Sequence, residues 1–237
     1  MELAAKSKSG AKAATSPVRV WDLPTRVFHW ALAACVIAAV VTAHIGGNAM
    51  DWHMRLGYAV LALLLFRLAW GLVGGRWSRF ASFVYGPAAY LRYLRGQPRA
   101  DDVFEIGHNP LGALSVFALL GWLGLQVGSG LIADDEIATT GPLLRFVSSE
   151  TSLAWTAHHK TWGQWLLFAL VSLHVAAILF YRWRKGSNLV AAMVHGDKVL
   201  PAGTASSRDN AVTRLLALAL LALAAGAVYW LVKLGGG

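Results

Sequence analysis

Five apolar segments, each about as long as a membrane-spanning helix, constrain the fold of this chain more than any other feature of its sequence. A helix needs about 20 predominantly apolar residues to cross a hydrocarbon core roughly 30 Å thick. The chain is 57% hydrophobic and 14% charged, whereas soluble domains have about 25% charged residues. The sequence therefore predicts an all-α integral membrane protein with spans over residues 27–45, 55–74, 111–132, 159–181 and 212–232.

The distribution of the formal net charge of +9 predicts the orientation of the chain. Lysine and arginine are concentrated before the first span, between spans two and three, and between spans four and five. Cytoplasmic loops of membrane proteins have an excess of these residues. We therefore expect a multi-pass protein with a cytoplasmic N-terminus and a C-terminus on the outer side. The basic residues would contact anionic membrane lipid, not nucleic acid.

Four segments outside the spans have recognisable patterns. Residues 1–17 are polar, small and basic, which is typical of a disordered cytoplasmic extension. Residues 82–95 favour an amphipathic interfacial helix, and residues 141–147 of the outer loop favour a short surface helix. Residues 196–211 read as a polar linker to the fifth span. That span contains no histidine and no charge beyond Arg214 in its first turn, so we expect it to be accessory.

His159 and His174 lie fifteen residues apart in the fourth span. On an α-helix this spacing puts the two side chains within roughly 60° of one another and about 22 Å apart along the axis. One imidazole is then near each edge of the hydrocarbon core, where a histidine is costly without a partner. A cofactor that binds imidazole at two depths explains both positions, and two haems fit this geometry.

At the cytoplasmic level, His29 at the start of span one lies at the depth of His174. A six-coordinate haem iron takes two axial ligands, and bis-imidazole ligation suits electron transfer because no coordination site is left open. The sequence therefore predicts an inner pair of His29 and His174. His108 lies at the same level just before span three, and we expect it, like His195, to be interfacial or solvated.

At the outer level, His159 can pair with either His44 or His53. His29 and His44 are also fifteen residues apart, so span one mirrors span four and spacing alone does not choose between the two partners. The neighbouring His158 would point about 160° away from His174 on an α-helix, and we expect it to be solvated. Ligands divided between two depths argue against a single tetrahedral zinc site.

Arg67 is the formal charge deepest inside a span. It lies fourteen residues after His53, which places it about 21 Å deeper on nearly the same helix face, level with the inner haem. Arginine binds carboxylates in a bidentate manner, so a haem propionate is one partner. The alternative is that Arg67 snorkels to the cytoplasmic head groups. The lone Cys35 excludes an intramolecular disulfide, c-type haem attachment and a four-cysteine iron–sulfur cluster.

Four motifs, spread over residues 18–198, resemble those of the bacterial cytochrome b561 family, which includes the b-type subunits of membrane-bound hydrogenases. They are VWDLPTRVFHW, WHMRLGYAVLALLLFRLAWGLVG, GHNPLGALSV and LHVAAILFYRW. The resemblance implies a four-helix transmembrane core over 18–198 that binds two haem b groups. A linker and one accessory C-terminal transmembrane helix follow over 199–237.

Matching the motifs residue by residue implies four axial ligands. They are His29 in FHW, His53 in HMRLGY, His159 at the start of span four and His174 in LHV. The resemblance thus favours His53 over His44, whereas the adjacent His158 and His159 leave open which of the two binds iron.

The resemblance implies electron transport in a bacterial inner membrane, with the C-terminus in the periplasm. Electrons would pass between the quinone pool and a redox partner at the outer face, such as a periplasmic cytochrome. The alternatives are a haem-bearing anchor or relay subunit of a larger oxidoreductase, or superoxide or quinone oxidoreduction, so enzymatic activity stays open. A haem-free metal or solute transporter would need acidic residues at mid-span, and the spans contain no Asp or Glu.

The outer loop over residues 133–158 is acidic. It has four acids, Asp134, Asp135, Glu136 and Glu150, against Arg145. Such a loop favours a basic redox partner with a salt-dependent association rate. The same composition also follows from topology alone, because outer loops avoid lysine and arginine.

Overall fold

The computed structural model describes residues 14–99, 101–104 and 106–236 and is mostly helical. It contains five helices long and apolar enough to cross a membrane, which confirms the five spans expected from the sequence. In chain order the elements are β1 (Thr15–Arg19), α1 (Leu23–Ile45), α2 (Met50–Val73), α3 (Pro87–Leu94), α4 (Pro110–Leu131), α5 (Ser149–His158), a π-helical segment (His159–Gly163), α6 (Gln164–Arg184), α7 (Leu189–His195), β2 (Asp197–Pro201) and α8 (Ala211–Leu234).

Polar caps fix where the long helices begin. Asp22 caps α1 by accepting a hydrogen bond from the backbone N–H of Thr25, and Asn109 caps α4 by accepting one from Gly112. A proline follows each of these caps in the first turn, where its missing N–H costs nothing. Asn210 and Thr213 form a reciprocal capping box at the start of α8.

The carboxylate of Asp22 also joins the start of α1 to the end of α2. It is fully buried and accepts hydrogen bonds from Trp70 Nε1 at 3.1 Å, Gly75 N at 3.1 Å and Ser78 Oγ at 2.6 Å. A buried charge needs such partners, because desolvation without them is costly. These contacts fix the N-terminus of α1 against the turn that follows α2.

The spans pack in sequence around α2. Helix α2 contacts α1, α4 and α8, and α4 in turn contacts α6. Apolar side chains of α1, α2 and α8 form one core cluster (Phe28, Phe66, Trp70, Ala217 and Ala224), and those of α2, α4 and α6 form another (Val60, Leu64, Leu123 and Leu167). The fifth span therefore packs directly on α2.

A two-stranded antiparallel sheet joins the two ends of the described core. β1 pairs with β2 so that Val18 lies opposite Lys198 and Ser16 lies opposite Leu200. The sequence did not predict this sheet. Residues 1–13 of the expected extension lie outside the described residues. Thr15–Arg19, however, is a strand, so an extension over residues 1–17 is too long at its C-terminal end. The linker expected over 196–211 likewise contains β2.

Ion pairs reinforce this junction. Arg19 binds Asp197 at 2.6 Å and Asp209 at 2.6 Å, and Asp209 also binds Arg214 at 2.8 Å.

We call this side of the bundle the basic end; it contains residues 15–26, 75–109 and 185–214. The opposite side, with residues 46–49 and 132–148, is the acidic end.

Both short helices expected outside the spans have counterparts in the structure. The amphipathic segment is helical over Pro87–Leu94, with a separate 3₁₀ turn over Phe80–Ser82 in place of its first turn. The hydroxyl of Tyr93 in this helix contacts that of Tyr181 at the end of α6, and Asn109 Nδ2 at the start of α4 donates to the same Tyr181 oxygen at 2.5 Å. The outer loop contains a single 3₁₀ turn, Leu144–Phe146.

Candidate functional site

The first pair of histidines lies at the basic end. His29 on α1 and His174 on α6 face each other, with ring centroids 6.4 Å apart and an interplanar angle of 48°. An imidazole nitrogen binds a metal at about 2 Å, so two imidazoles that share one metal ion have ring centres about 6 Å apart. The observed separation matches that requirement.

The second pair lies at the acidic end. His53 on α2 and His159 at the start of the π-helical segment have ring centroids 6.0 Å apart, with their planes nearly perpendicular at 89°. His44, the alternative partner of His159, makes other contacts. Its Nδ1 lies 2.8 Å from the carbonyl oxygen of Val40, and its Nε2 lies 3.2 Å from Gln164 Nε2.

Backbone carbonyls orient both rings of the acidic-end pair. His53 Nδ1 lies 2.9 Å from the carbonyl oxygen of Ala39 on α1, and His159 Nδ1 lies 2.9 Å from that of Gln126 on α4. Metal-binding histidines almost always donate their second ring N–H to such an acceptor, which fixes the tautomer. In both residues this arrangement leaves Nε2 as the nitrogen with a lone pair for a metal.

The π-helical segment His159–Gly163 interrupts an otherwise continuous helix over Ser149–Arg184. Single π turns inside α-helices are frequent at functional sites. Side chains of α4 satisfy carbonyls at this irregularity: Gln126 Nε2 donates to His159 O at 3.0 Å, and Trp122 Nε1 donates to Gly163 O at 2.8 Å. The uniform α-helical rotation assumed between His159 and His174 is therefore wrong.

Gly163 leaves space for the side chain of Gln126 on α4. A Cβ added there would lie 2.0 Å from Gln126 Oε1, so the end of this flexible side chain would have to shift. The same side chain donates from Nε2 to the carbonyl oxygen of His159. Gly163 thus lets Gln126 of α4 reach the first turn of the π-helical segment, where it contacts His159.

A cavity of about 540 Å³ adjoins the acidic-end pair. Its walls are mostly apolar and include His44, His53, Gly57, Gly130 and His159. A Cβ added to Gly57 would meet no atom within 4 Å, so this glycine leaves open space beside the pair. Cavities of about 300–1,000 Å³ with apolar walls and a few convergent polar groups are typical of small-molecule sites.

Arg67 lies inside the bundle near the basic end. The residue is 3% exposed, its guanidinium carbon lies 4.6 Å from the ring centre of Phe80, and its Nη1 has no hydrogen-bond partner among the described residues. The side chain therefore does not extend to the surface, which is contrary to the snorkelling alternative. A buried guanidinium with an unpaired N–H is suited to binding an anion.

Two histidines expected in solvent or at the interface are packed against aromatic rings. His158 lies 5.7 Å from Trp122 and 5.4 Å from Trp155, measured between ring centres. His108 lies 4.7 Å from Trp21 and 4.5 Å from Phe83. Both residues are half-buried, and the aromatic contacts come from parts of the chain that sequence spacing does not bring together. His195, in contrast, is exposed as expected.

The paired arrangement is distinct from a site for a bare metal ion. In the part of the chain that the structure describes, no group of three or more His, Cys, Asp and Glu side chains is placed to hold such an ion. Each pair supplies two imidazoles, which is the number of axial ligands that a six-coordinate haem iron takes from protein.

Two of the four acids in the outer loop hold the loop together. The carboxylate of Asp135 accepts hydrogen bonds from the backbone N–H groups of Thr139, Ala138 and Ile137, which lower the pKa of Asp135 to about 2. Asp134 accepts a further bond from Glu136 N. Glu136 and Glu150 have exposed side chains, so these two acids are the ones available to a partner.

Comparison with known proteins gives a consistent family. The family model described as prokaryotic cytochrome b561 matches residues 20–196, a range that contains both histidine pairs and ends before α8. The probable Ni/Fe-hydrogenase 1 B-type cytochrome subunit of Escherichia coli (strain K12) is 23% identical, over 81% of this chain and 94% of the relative.

Two further relatives are each called a probable Ni/Fe-hydrogenase B-type cytochrome subunit. The protein of Azotobacter chroococcum is 28% identical over 76% of this chain and 87% of its own length. The protein of Bradyrhizobium diazoefficiens is 22% identical over 82% and 91%, respectively. No solved structure matches the chain.

Proposed function

Because the chain belongs to the prokaryotic cytochrome b561 family, we propose that it transfers electrons across the membrane by means of two haem b groups. His29 and His174 would hold one haem, and His53 and His159 would hold the other. The family implies haem b and electron transport in a multi-pass bacterial membrane protein. The observation that supports two haems is the presence of two imidazole pairs, 6.4 Å and 6.0 Å between ring centres, at opposite ends of the bundle.

The residues around the acidic-end pair fit such a group. The Nε2 atoms of His53 and His159 are free to bind iron, because the Nδ1 atom of each faces a backbone carbonyl. Gly57 leaves room for a flat macrocycle, and the walls of the cavity are mostly apolar. Haem b, when bound, supplies an iron that accepts and releases one electron.

The four-plus-one architecture is part of the proposal. Helices α1, α2, α4 and α6 would form the haem-binding core within residues 18–198, and the segment over 199–237 would add α8 on the outside. The positive-inside rule assigns the basic end to the cytoplasm and the C-terminus to the periplasm of a bacterial inner membrane. Arg67 would bind a propionate of the basic-end haem.

The proposed electron route joins the quinone pool to a redox protein at the outer face. The relatives support a protein partner, since they are named as cytochrome subunits of Ni/Fe hydrogenases. Those names also favour a second candidate, in which this chain is the haem-bearing membrane anchor and relay of a larger oxidoreductase. Copurification with a soluble redox subunit separates that candidate from a free-standing quinone-dependent cytochrome.

Transmembrane electron transfer is testable with the purified holoprotein in sealed vesicles. With dithionite inside and ferricyanide outside, we expect ferricyanide reduction well above that of protein-free vesicles, because neither reagent crosses the bilayer. The rate is followed by the absorbance of ferricyanide. His195→Ala should transfer electrons at the wild-type rate. A wild-type rate equal to that of empty vesicles, in protein with its haem bound, would refute the function.

A partner at the outer face predicts a salt-dependent effect of the exposed acids. The double variant Glu136→Gln/Glu150→Gln should slow electron exchange with a basic electron carrier by roughly two- to fivefold at low ionic strength and leave it unchanged at high salt. Stopped-flow measurements with a soluble basic cytochrome c provide the rate. Asp134 and Asp135 are left in place because they hold the loop.

A small neutral quinol serves as the control, since its reaction rate should not depend on these charges. If the double variant exchanges electrons with the basic carrier at the wild-type rate at low salt, the acidic composition of the loop has only its topological explanation.

A further inference from the structure

Four buried polar atoms at or near the basic end have no hydrogen-bond partner among the described residues: Nε of Arg26, Nδ1 of His29, Nη1 of Arg67 and Nδ1 of His108. The other guanidinium nitrogens of Arg26 contact Val194 O and Asp209, and His29 is a proposed iron ligand. That leaves Arg67 on α2 and His108, two residues before α4, without an assigned partner. Buried polar groups are almost always hydrogen-bonded, and each exception calls for an unseen partner or another explanation. Two such N–H-bearing side chains in one region point to a shared acceptor.

Aromatic rings connect the two side chains. The guanidinium of Arg67 lies 4.6 Å from the ring centre of Phe80, Phe80 lies 5.9 Å from Phe83, and Phe83 lies 4.5 Å from His108. Gly71 lets Phe80 approach α2, because a Cβ there would lie 2.1 Å from the Phe80 ring. A continuous series of ring contacts therefore links Arg67 to His108.

This region is electropositive. Burial, together with the positive charges of Arg67 and Lys198, lowers the pKa of His108 to about 3, and the side chains of His174 and His29 contribute in the same direction. His108 is thus neutral at physiological pH and has one ring N–H to donate. A buried region with net positive charge and unpaired donors favours an anion.

The buried carboxylate of Asp22 does not supply that anion. The charge of Asp22 acts on Arg67. Its oxygens, however, accept hydrogen bonds from Thr25, Trp70, Gly75 and Ser78, and none joins it to Arg67 or His108.

We propose that His108 and Arg67 together bind a propionate of the haem held by His29 and His174, an inference that rests on the dihaem function proposed above. The guanidinium and the imidazole N–H would donate charge-assisted hydrogen bonds to the carboxylate. His108 is a positioning residue here: it binds the edge of the cofactor and does not bind iron. This role explains why a histidine is buried between Trp21 and Phe83 without a partner of its own.

The test is a redox titration of the holoprotein carrying His108→Phe. Phenylalanine can keep the ring contacts with Trp21 and Phe83 but donates no hydrogen bond. Without the N–H of His108, the negative charge of the propionate is less compensated, and this charge stabilises ferric iron. The reduced-to-oxidised ratio of the basic-end haem at a fixed potential should therefore fall about tenfold. This corresponds to a midpoint potential lower by about 59 mV for a one-electron couple. The potential of the acidic-end haem should not change. His108→Gln, which retains an N–H, should recover most of the shift.

The matched control is His195→Phe, at an exposed histidine, which should leave both potentials unchanged. Arg67→Gln should lower the potential of the same haem. If His108→Phe fails to assemble, His108→Leu replaces it as the variant without an N–H donor. An unchanged basic-end potential in the His108 variant that assembles, with both haems bound, would overturn the role of His108 in propionate binding. A wild-type protein with fewer than two haems would instead refute the dihaem function, so the two failures are distinguishable.

Discussion

Replacing His29 or His174 with alanine should remove the haem at the basic end and leave the haem at the acidic end in place. Each iron needs both of its imidazoles to remain six-coordinate. The two pairs share no side chain, since His53 and His159 lie at the opposite end of the bundle. We expect the haem content per chain to fall by half in either variant, with the loss of one component from the reduced α-band.

The control for this result is His195→Ala, since His195 is an exposed histidine at the same end of the molecule. It should retain the full haem content. Full retention in both His29→Ala and His174→Ala would show that the basic-end pair does not hold a cofactor, whatever the distance between its rings.

Replacing His53 or His159 should have the reciprocal effect and remove only the acidic-end haem. His44→Ala should retain both haems, because the two ring nitrogens of His44 contact Val40 and Gln164 and His159 is paired with His53. Haem content and midpoint potentials of the three variants, measured after purification in one detergent, make the comparison.

His158→Ala is a second control, because it tests the other member of the histidine doublet. The ring of His158 packs near Trp122 and Trp155, so its loss should weaken packing but not haem binding. Retention of both haems in His53→Ala, together with loss of one in His44→Ala, would assign the outer ligand to His44. Loss of one haem in His158→Ala, together with retention of both haems in His159→Ala, would likewise assign the ligand to His158.

The transmembrane helices were predictable from sequence because the bilayer imposes a length and a composition on each of them. The start of α4 is also visible in the sequence, because the N-cap residue Asn109 and the following Pro110 are adjacent. The sheet was not predictable. Its strands have five residues each and lie almost the whole length of the core apart in sequence, so neither shows a pattern long enough to suggest a partner.

The histidine pairs could be predicted from the sequence because helix geometry gives the depth of each histidine and the motifs reduce the possible pairings. The contacts that orient the imidazole rings could not be predicted. The backbone carbonyls of Ala39 and Gln126 orient His53 and His159, respectively. Because every residue has a backbone carbonyl, the sequence does not indicate which ones make these contacts. The π-helical turn at His159 also escaped, because it depends on contacts with side chains of α4.

The surroundings of His108 were not predictable for a related reason. His108 was expected to be interfacial or solvated because it precedes a span, and its ring packs against Trp21 and Phe83 from two other segments. Only the tertiary fold brings those segments together. The same fold places Arg67 against Phe80, whereas the sequence left its direction open between a propionate and the head groups.

The most direct measurement of the central claim is the amount of haem per chain in the purified, folded protein. Haem b is not covalently attached, so it should be extractable as protohaem in acidified organic solvent. Quantified against protein from amino-acid analysis, the ratio should be near two, and the intact protein should show the spectrum of low-spin, six-coordinate iron in both redox states. A ratio near one or near zero in properly folded protein would contradict the dihaem account.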